Sequence, residues 1–216
     1  MATTFEIVPM RPHHIPAVVT IYRASFVGAF LVRLGPRFLD LMFAAFIEGS
    51  PRECSLVCLN AENDVIGFVC GSENRTAYIR SFLRRHLADS LPAIGGAVVR
   101  DPAIGIGLLR RARTLSGDLF GSARSRHKNM PAASLMTIAV ADSCRERGVG
   151  SSLVEAFMAA MAKRGVPELR LAVSEGNVGA RRLYERLGWR PSSAVRNSKS
   201  NRYYIRRLLA PEDGRK

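Results

Sequence analysis

The 216 residues fit a single large domain, and 47% hydrophobic with 23% charged residues is the balance of a folded chain, which excludes an intrinsically disordered one. No apolar run reaches the ~18 residues needed to cross a bilayer, and Met1–Val8 lacks the basic and apolar regions of a secretory signal, so a cytoplasmic protein is expected. The net charge of +14 comes from bases that are nearly all Arg, scattered in doublets such as Arg84-Arg85 and Arg181-Arg182 rather than gathered in a tract with aromatics; it therefore points to a solvated basic surface and not to a nucleic-acid binder.

Phe5–Val8 reads as a first strand. Pro16 suits a helix start, and Ile15, Val18, Val19, Tyr22 and Phe26 then fall on one helical face. After Gly35-Pro36, the spacing of Phe38, Leu39, Met42, Phe43 and Phe46 predicts a second helix that closes near residues 49–51. Residues 55–59 and 65–71 are strand-like on either side of a turn at 60–64, hence an antiparallel hairpin. Cys54, Cys58 and Cys70 sit in or beside these strands as small buried hydrophobes, and no cysteine has zinc spacing.

From Arg75 to about Ala133 the pattern changes. Tyr78, Phe82 and Leu83 mark a helix, 91–100 is an apolar stretch containing glycine, 104–115 holds another helix, and 116–133 reads as a polar loop. Order then returns. A strand over 134–140 precedes a helix over 150–164 whose buried face is Leu153, Val154, Phe157, Met158 and Met161. A strand over 168–174, a short helix over 178–187 and a last strand region over 198–209 complete the chain.

Chemistry concentrates between 134 and 190. After the strand comes Arg145-Glu-Arg-Gly148-Val-Gly150-Ser151, and a helix begins at once. Glycines here let the backbone approach a ligand with its N–H groups turned inward, and the helix start adds free donors and a positive dipole end. Arg145 and Arg147 supply charge, so the segment forms an anion cradle suited to a pyrophosphate. It is neither a Walker A loop, since no Gly-Lys-Ser/Thr ends it, nor a Rossmann fingerprint, since the third glycine is missing. Gly105-Ile-Gly107 has no clear strand before it and reads as packing.

The second half is Asn177-x-x-Ala180-x-x-Leu183-Tyr184-x-x-x-Gly188-Trp189, following the next strand. Together, Arg-x-x-Gly-x-Gly after a strand and this second motif resemble the GNAT superfamily of N-acetyltransferases. The resemblance implies an α/β fold: a mixed, mostly antiparallel sheet flanked by helices, with a cofactor-binding splay between two parallel central strands. It implies one domain over 1–216, with a helical and loop insertion at about 75–133 between the third and fourth strands and a cofactor-binding core at 134–190. The implied co-substrate is acetyl-CoA, with no metal. Backbone groups of Ile138, Ala139 and Val140 would pair with pantetheine. Arg145, Arg147, Gly148, Val149, Gly150 and Ser151 would hold the pyrophosphate, and Asn177 would touch the thioester arm. Tyr184 would return a proton to the departing thiolate, its competing reading being a tyrosine that only packs.

An amine held against the thioester can attack it directly, so the expected reaction is acetyl transfer to a primary amine of a small molecule, amino sugar or peptide, with no Ser, Cys or His nucleophile. The sequence departs from the family pattern at the general base. Strand 134–140 and the middle of strand 168–174 carry no acid, and Asp142 and Glu175 read as turn or capping residues, so no base is named. That gap sustains a rival reading, a non-catalytic CoA-binding or sensor module; the net charge sustains a weaker one, a nucleic-acid-associated protein. His13-His14 reads as a surface or capping pair, His86 and His127 as solvent-exposed, and Cys144 at most as a reactive thiol. Residues 76–115 are expected to line the acceptor site, and a homodimer is left open.

Overall fold

The computed structural model describes residues 5–48, 50–107, 132–192 and 201–208. The N-terminal half runs β1 (Glu6–Pro9), α1 (Ile15–Ser25), α2 (Phe30–Arg33), α3 (Pro36–Glu48), β2 (Glu53–Leu59), β3 (Val65–Ser72) and α4 (Arg75–Arg100). The C-terminal half runs β4 (Ala132–Val140), α5 (Val149–Lys163), β5 (Glu168–Ser174), α6 (Val178–Arg186), β6 (Arg190–Pro191) and β7 (Asn201–Arg207). The strands form one seven-stranded sheet in the order β1-β2-β3-β4-β5-β7-β6. All neighbours are antiparallel except β4 and β5, which are parallel.

Each face of the sheet carries its own core. On one side α1, α3 and α4 cover β2 and β3, with Tyr22, Phe43 and Phe68 meeting edge to face or tilted at centroid separations of 5.3–6.5 Å. On the other side α5 and α6 pack Leu153, Phe157, Met161 and Tyr184 against Val69, Leu169, Trp189 and Tyr204. Most of the positions that apolar spacing singles out in α1, α3 and α5 are buried; Ile15, Phe26, Met42 and Met158 are only half-buried, and Ile21, Ala45 and Val149 join the core besides. Cys54, Cys58 and Cys70 are buried free thiols, and burial pushes Cys58 up to about 11, so that thiol stays protonated at neutral pH.

Three sequence expectations change. The stretches 75–90 and 91–100 are one continuous helix of 26 residues that runs through Pro92 and Gly95-Gly96. A proline inside a helix costs about 3 kcal/mol; here Ala97 is buried and Ala93, Ile94 and Val98 are partly buried on the same core, and that burial outweighs the lost backbone bond. β4 begins at Ala132, two residues inside the expected loop, because its start already pairs with β5. His86 is buried against Phe82 instead of solvated, its ring 5.6 Å from the phenyl centroid. Residues 103–107 are helical; the remainder of the 104–115 helix, the loop up to 131 and His127 lie outside the described residues.

Candidate active site

β4 and β5 are neighbours over three residue pairs only, Ala132 with Glu168, Ala133 with Leu169 and Ser134 with Arg170. Beyond them β5 stays with β7 as far as Ser174, while β4 stays with β3 as far as Val140. The two parallel strands therefore splay, and the edge of β4 from Leu135 onward faces a gap. Alternation along the antiparallel β3–β4 ladder decides which groups face it. The Ala141 N–H donates to Ile66 O at 2.9 Å, so residues 139 and 137 likewise turn their backbone groups toward β3. Ile138 and Val140 turn theirs toward the gap, and of the three residues expected to line it, Ala139 is the one whose pairing groups are taken by Phe68.

A β-bulge at Met136, opposite the Cys70–Gly71 step, sets this arrangement. The extra residue shifts the alternation, so that Ala133 and Leu135 before it and Ile138 and Val140 after it all belong to the face beneath α5. On the neighbouring strand, Gly71 leaves room for the helix. A Cβ built there would lie 2.5 Å from both the Phe157 ring and the Ser134 carbonyl oxygen. Phe157 thus seats on bare backbone and draws α5 onto the sheet.

At the open end of the gap both strands run into helix starts, and ligands of open α/β sheets bind in the same place, beyond the carboxyl ends of the strands. β4 leads through a 3-10 turn, Asp142–Cys144, to Gly148 and α5; β5 leads to Asn177 and α6. Gly148 has φ +84°, a left-handed conformation open to glycine, and nothing lies within 4 Å of where its Cβ would stand. No side chain caps α5, so its first N–H groups are left without a side-chain acceptor. A Cβ on Gly150 would meet Leu183 of α6 at 3.6 Å and Val140 of β4 at 3.8 Å, which brings the cradle, the strand edge and α6 to one point. Arg145 is tied to Asp142 at 2.6 Å, while Arg147 has no carboxylate partner among the described residues. Helix-start backbone donors without a side-chain cap, beside an arginine without a carboxylate partner, are groups whose chemistry suits an oxyanion.

Residues 94–189 match the model of the Acetyltransferase (GNAT) family. The matched stretch is similar to a GNAT acetyltransferase domain. The chain's fold is similar to that of SsHAT, with TM-score 0.63 and 23% identity over 96% of this chain and 100% of the other. It is also similar to Ard1 from Thermoplasma volcanium, with TM-score 0.58 and 17% identity over 97% and 100%. The ribosomal-protein-S18-alanine N-acetyltransferase from Escherichia coli gives TM-score 0.57 and 15% identity over 97% and 98%. No curated protein matches the sequence.

Within the matched stretch, Asn177 caps α6, its Oδ1 accepting from the Ala180 N–H at 3.0 Å. Its side-chain NH2 is the group left over. Tyr184, further along α6, is 4% exposed and packs on Trp189 and Tyr204 with centroids 5.9 and 6.3 Å away. Burial pushes its phenol up to about 12. Its hydroxyl has no hydrogen-bond partner among the described residues, whereas the Tyr204 hydroxyl donates to Glu185 at 2.7 Å.

The two acids near the strand ends are both engaged. Asp142 holds Arg145 within the turn after β4, whereas Glu175, just past the end of β5, pairs with Arg202 of β7 at 3.1 Å instead of capping its turn. His14 accepts the Arg11 N–H on Nδ1 at 3.1 Å, a capping role. Sequence reasoning missed the bulge and the tight seat at Gly71; a glycine inside a strand pattern was the available sign of the second. Among the described residues no group of three or more His, Cys, Asp or Glu could hold a metal, and no helix is long and apolar enough to cross a membrane.

Proposed function

We propose that this protein moves an acetyl group from acetyl-CoA to a primary amine of a small molecule, amino sugar or peptide. The observation that carries the reading is the splay of β4 from β5, opening onto the uncapped glycine turn at Gly148. When bound, acetyl-CoA supplies a thioester carbonyl open to attack by an amine. The N–H groups of Val149, Gly150 and Ser151, with Arg147, hold the pyrophosphate, and Arg145 braces the turn through Asp142. Ile138 and Val140 pair with the amide arm as a neighbouring strand would, which fixes the reach of the thioester into the gap. An N–H of β4 beyond the bulge stabilises the oxyanion. Tyr184 Oη, kept protonated by burial, supplies the proton that the leaving sulfur takes up, and the proton that the amine nitrogen sheds on becoming an amide passes to solvent, from which the phenol is reloaded.

The test is twofold. Gly148→Asp places a side chain and a negative charge in the cradle and should weaken acetyl-CoA binding at least tenfold by calorimetry, the worth of about 1.4 kcal/mol; unchanged affinity in a folded variant rejects the cradle. An amine panel assayed for thiol release then tests turnover. The engagement of Asp142 and Glu175 by arginines favours a second reading, a CoA-binding sensor without catalysis. Tight binding with no thiol release on any acceptor would select it.

A further inference from the structure

A cavity of about 530 Å3 lies at the end of the sheet opposite the cradle, where β4 and β5 are still paired. Three arginines from three separate segments border it: Arg52 before β2, Arg75 at the start of α4 and Arg170 in β5. The hydroxyl-bearing Thr76 and Ser134 and one carboxylate, Glu73, complete its polar wall. The charges do not cancel. Glu73 is engaged by Arg164 at 3.4 Å, and Arg170 is held at 2.8 Å by Glu168, which is 3% exposed. Arg52 and Arg75 have no carboxylate partner among the described residues. Two arginines without carboxylate partners in the wall of one concavity, with hydroxyl-bearing residues beside them, supply the donor chemistry that planar or tetrahedral oxyanions take. The volume lies within the range that holds a small metabolite, roughly 300–1,000 Å3.

We propose that this cavity is a second ligand site, distinct from the CoA cradle, for a small organic anion bearing a phosphate or two carboxylates, gripped between Arg52 and Arg75 with Arg170 as the fixed floor. The site does not depend on the acetyl-transfer reading.

Calorimetric titration of the whole chain with inorganic phosphate and, separately, with malonate tests it and distinguishes the two oxyanion chemistries. One saturable site for at least one probe is expected, with equal affinity whether or not CoA is present. Arg52→Ala and Arg75→Ala should each weaken it about tenfold or more, as loss of a charged hydrogen bond does. Arg84→Ala, which removes one exposed charge from α4 outside the cavity, should leave it unchanged. Absence of saturable binding for both probes overturns the proposal. So does competition by CoA, or a loss in Arg84→Ala equal to that in the cavity variants, which would mark general attraction to a basic surface.

Discussion

Tyr184 is the residue whose environment says most about its chemistry. Surrounded by Trp189 and Tyr204 and 4% exposed, it is a proton donor that stays loaded across the neutral range. If it serves the leaving thiolate, Tyr184→Phe should lower kcat by about 10²–10⁴ while acetyl-CoA affinity holds; an unaltered kcat would return it to a packing role. Its raised value also has a signed consequence for stability. The unfolded phenol ionises near 10 and the folded one near 12, so its stabilisation is complete below pH 10 and is lost as pH rises through 12. The wild type should lose about 1.4 kcal/mol per pH unit from this group between those values, and Tyr184→Phe should lose correspondingly less in denaturant titrations at pH 9 and 11. The motif names Tyr184 and Asn177 from sequence alone. Their burial and capping geometry depend on Trp189, Tyr204 and Ala180 meeting them in space, and only the capping was legible in a local pattern.

Glycine plays opposite parts in different elements. Gly71 in β3 is a seat for α5, and Gly71→Ala should cost about 1–3 kcal/mol because the Phe157 ring and the Ser134 carbonyl would both have to move. Gly95, inside α4, has nothing within 4 Å of its missing Cβ, so Gly95→Ala should stabilise by about 0.5–1 kcal/mol. Thermal unfolding of the two variants checks both signs; a loss at Gly95 or a gain at Gly71 contradicts the packing described. α4 itself was half legible. Its aromatic first turns announce a helix, but Pro92 and the Gly95-Gly96 pair argue for a break, and the core that holds Ala97 in place has no local signature. Because α4 buries Tyr78 and Phe82 under α3, with the Tyr78 hydroxyl donating to Met42 O at 2.9 Å, it cannot be excised as a separable acceptor module. Point substitutions on its exposed face are the sounder probe of acceptor choice. The Met136 bulge was wholly illegible, since a bulge is a relation between two strands.

For the whole molecule, a mostly antiparallel sheet with a splay between two parallel strands is what the family resemblance implies, whereas the strand order and the three-pair ladder between β4 and β5 are visible only in the fold. Charge is similar. A net +14 says that the surface is basic; where arginines are left without carboxylates, as at Arg52, Arg75 and Arg147, is a property of the fold.

A seam closed over three residue pairs and unzipped for the remainder divides the sheet's solvent accessibility unevenly. The amides of Ile138 and Val140 stand like those of an edge strand in the middle of a seven-stranded sheet. They should trade hydrogen for deuterium within seconds in the free protein, while those of Thr137 and Ala139, one position away and bonded to β3, persist far longer. Saturating CoA should erase that two-residue rhythm by slowing Ile138 and Val140 alone. A uniform slowing along β4 would mean that the seam zips shut on binding, and the ligand would then be acting as a clasp for the sheet.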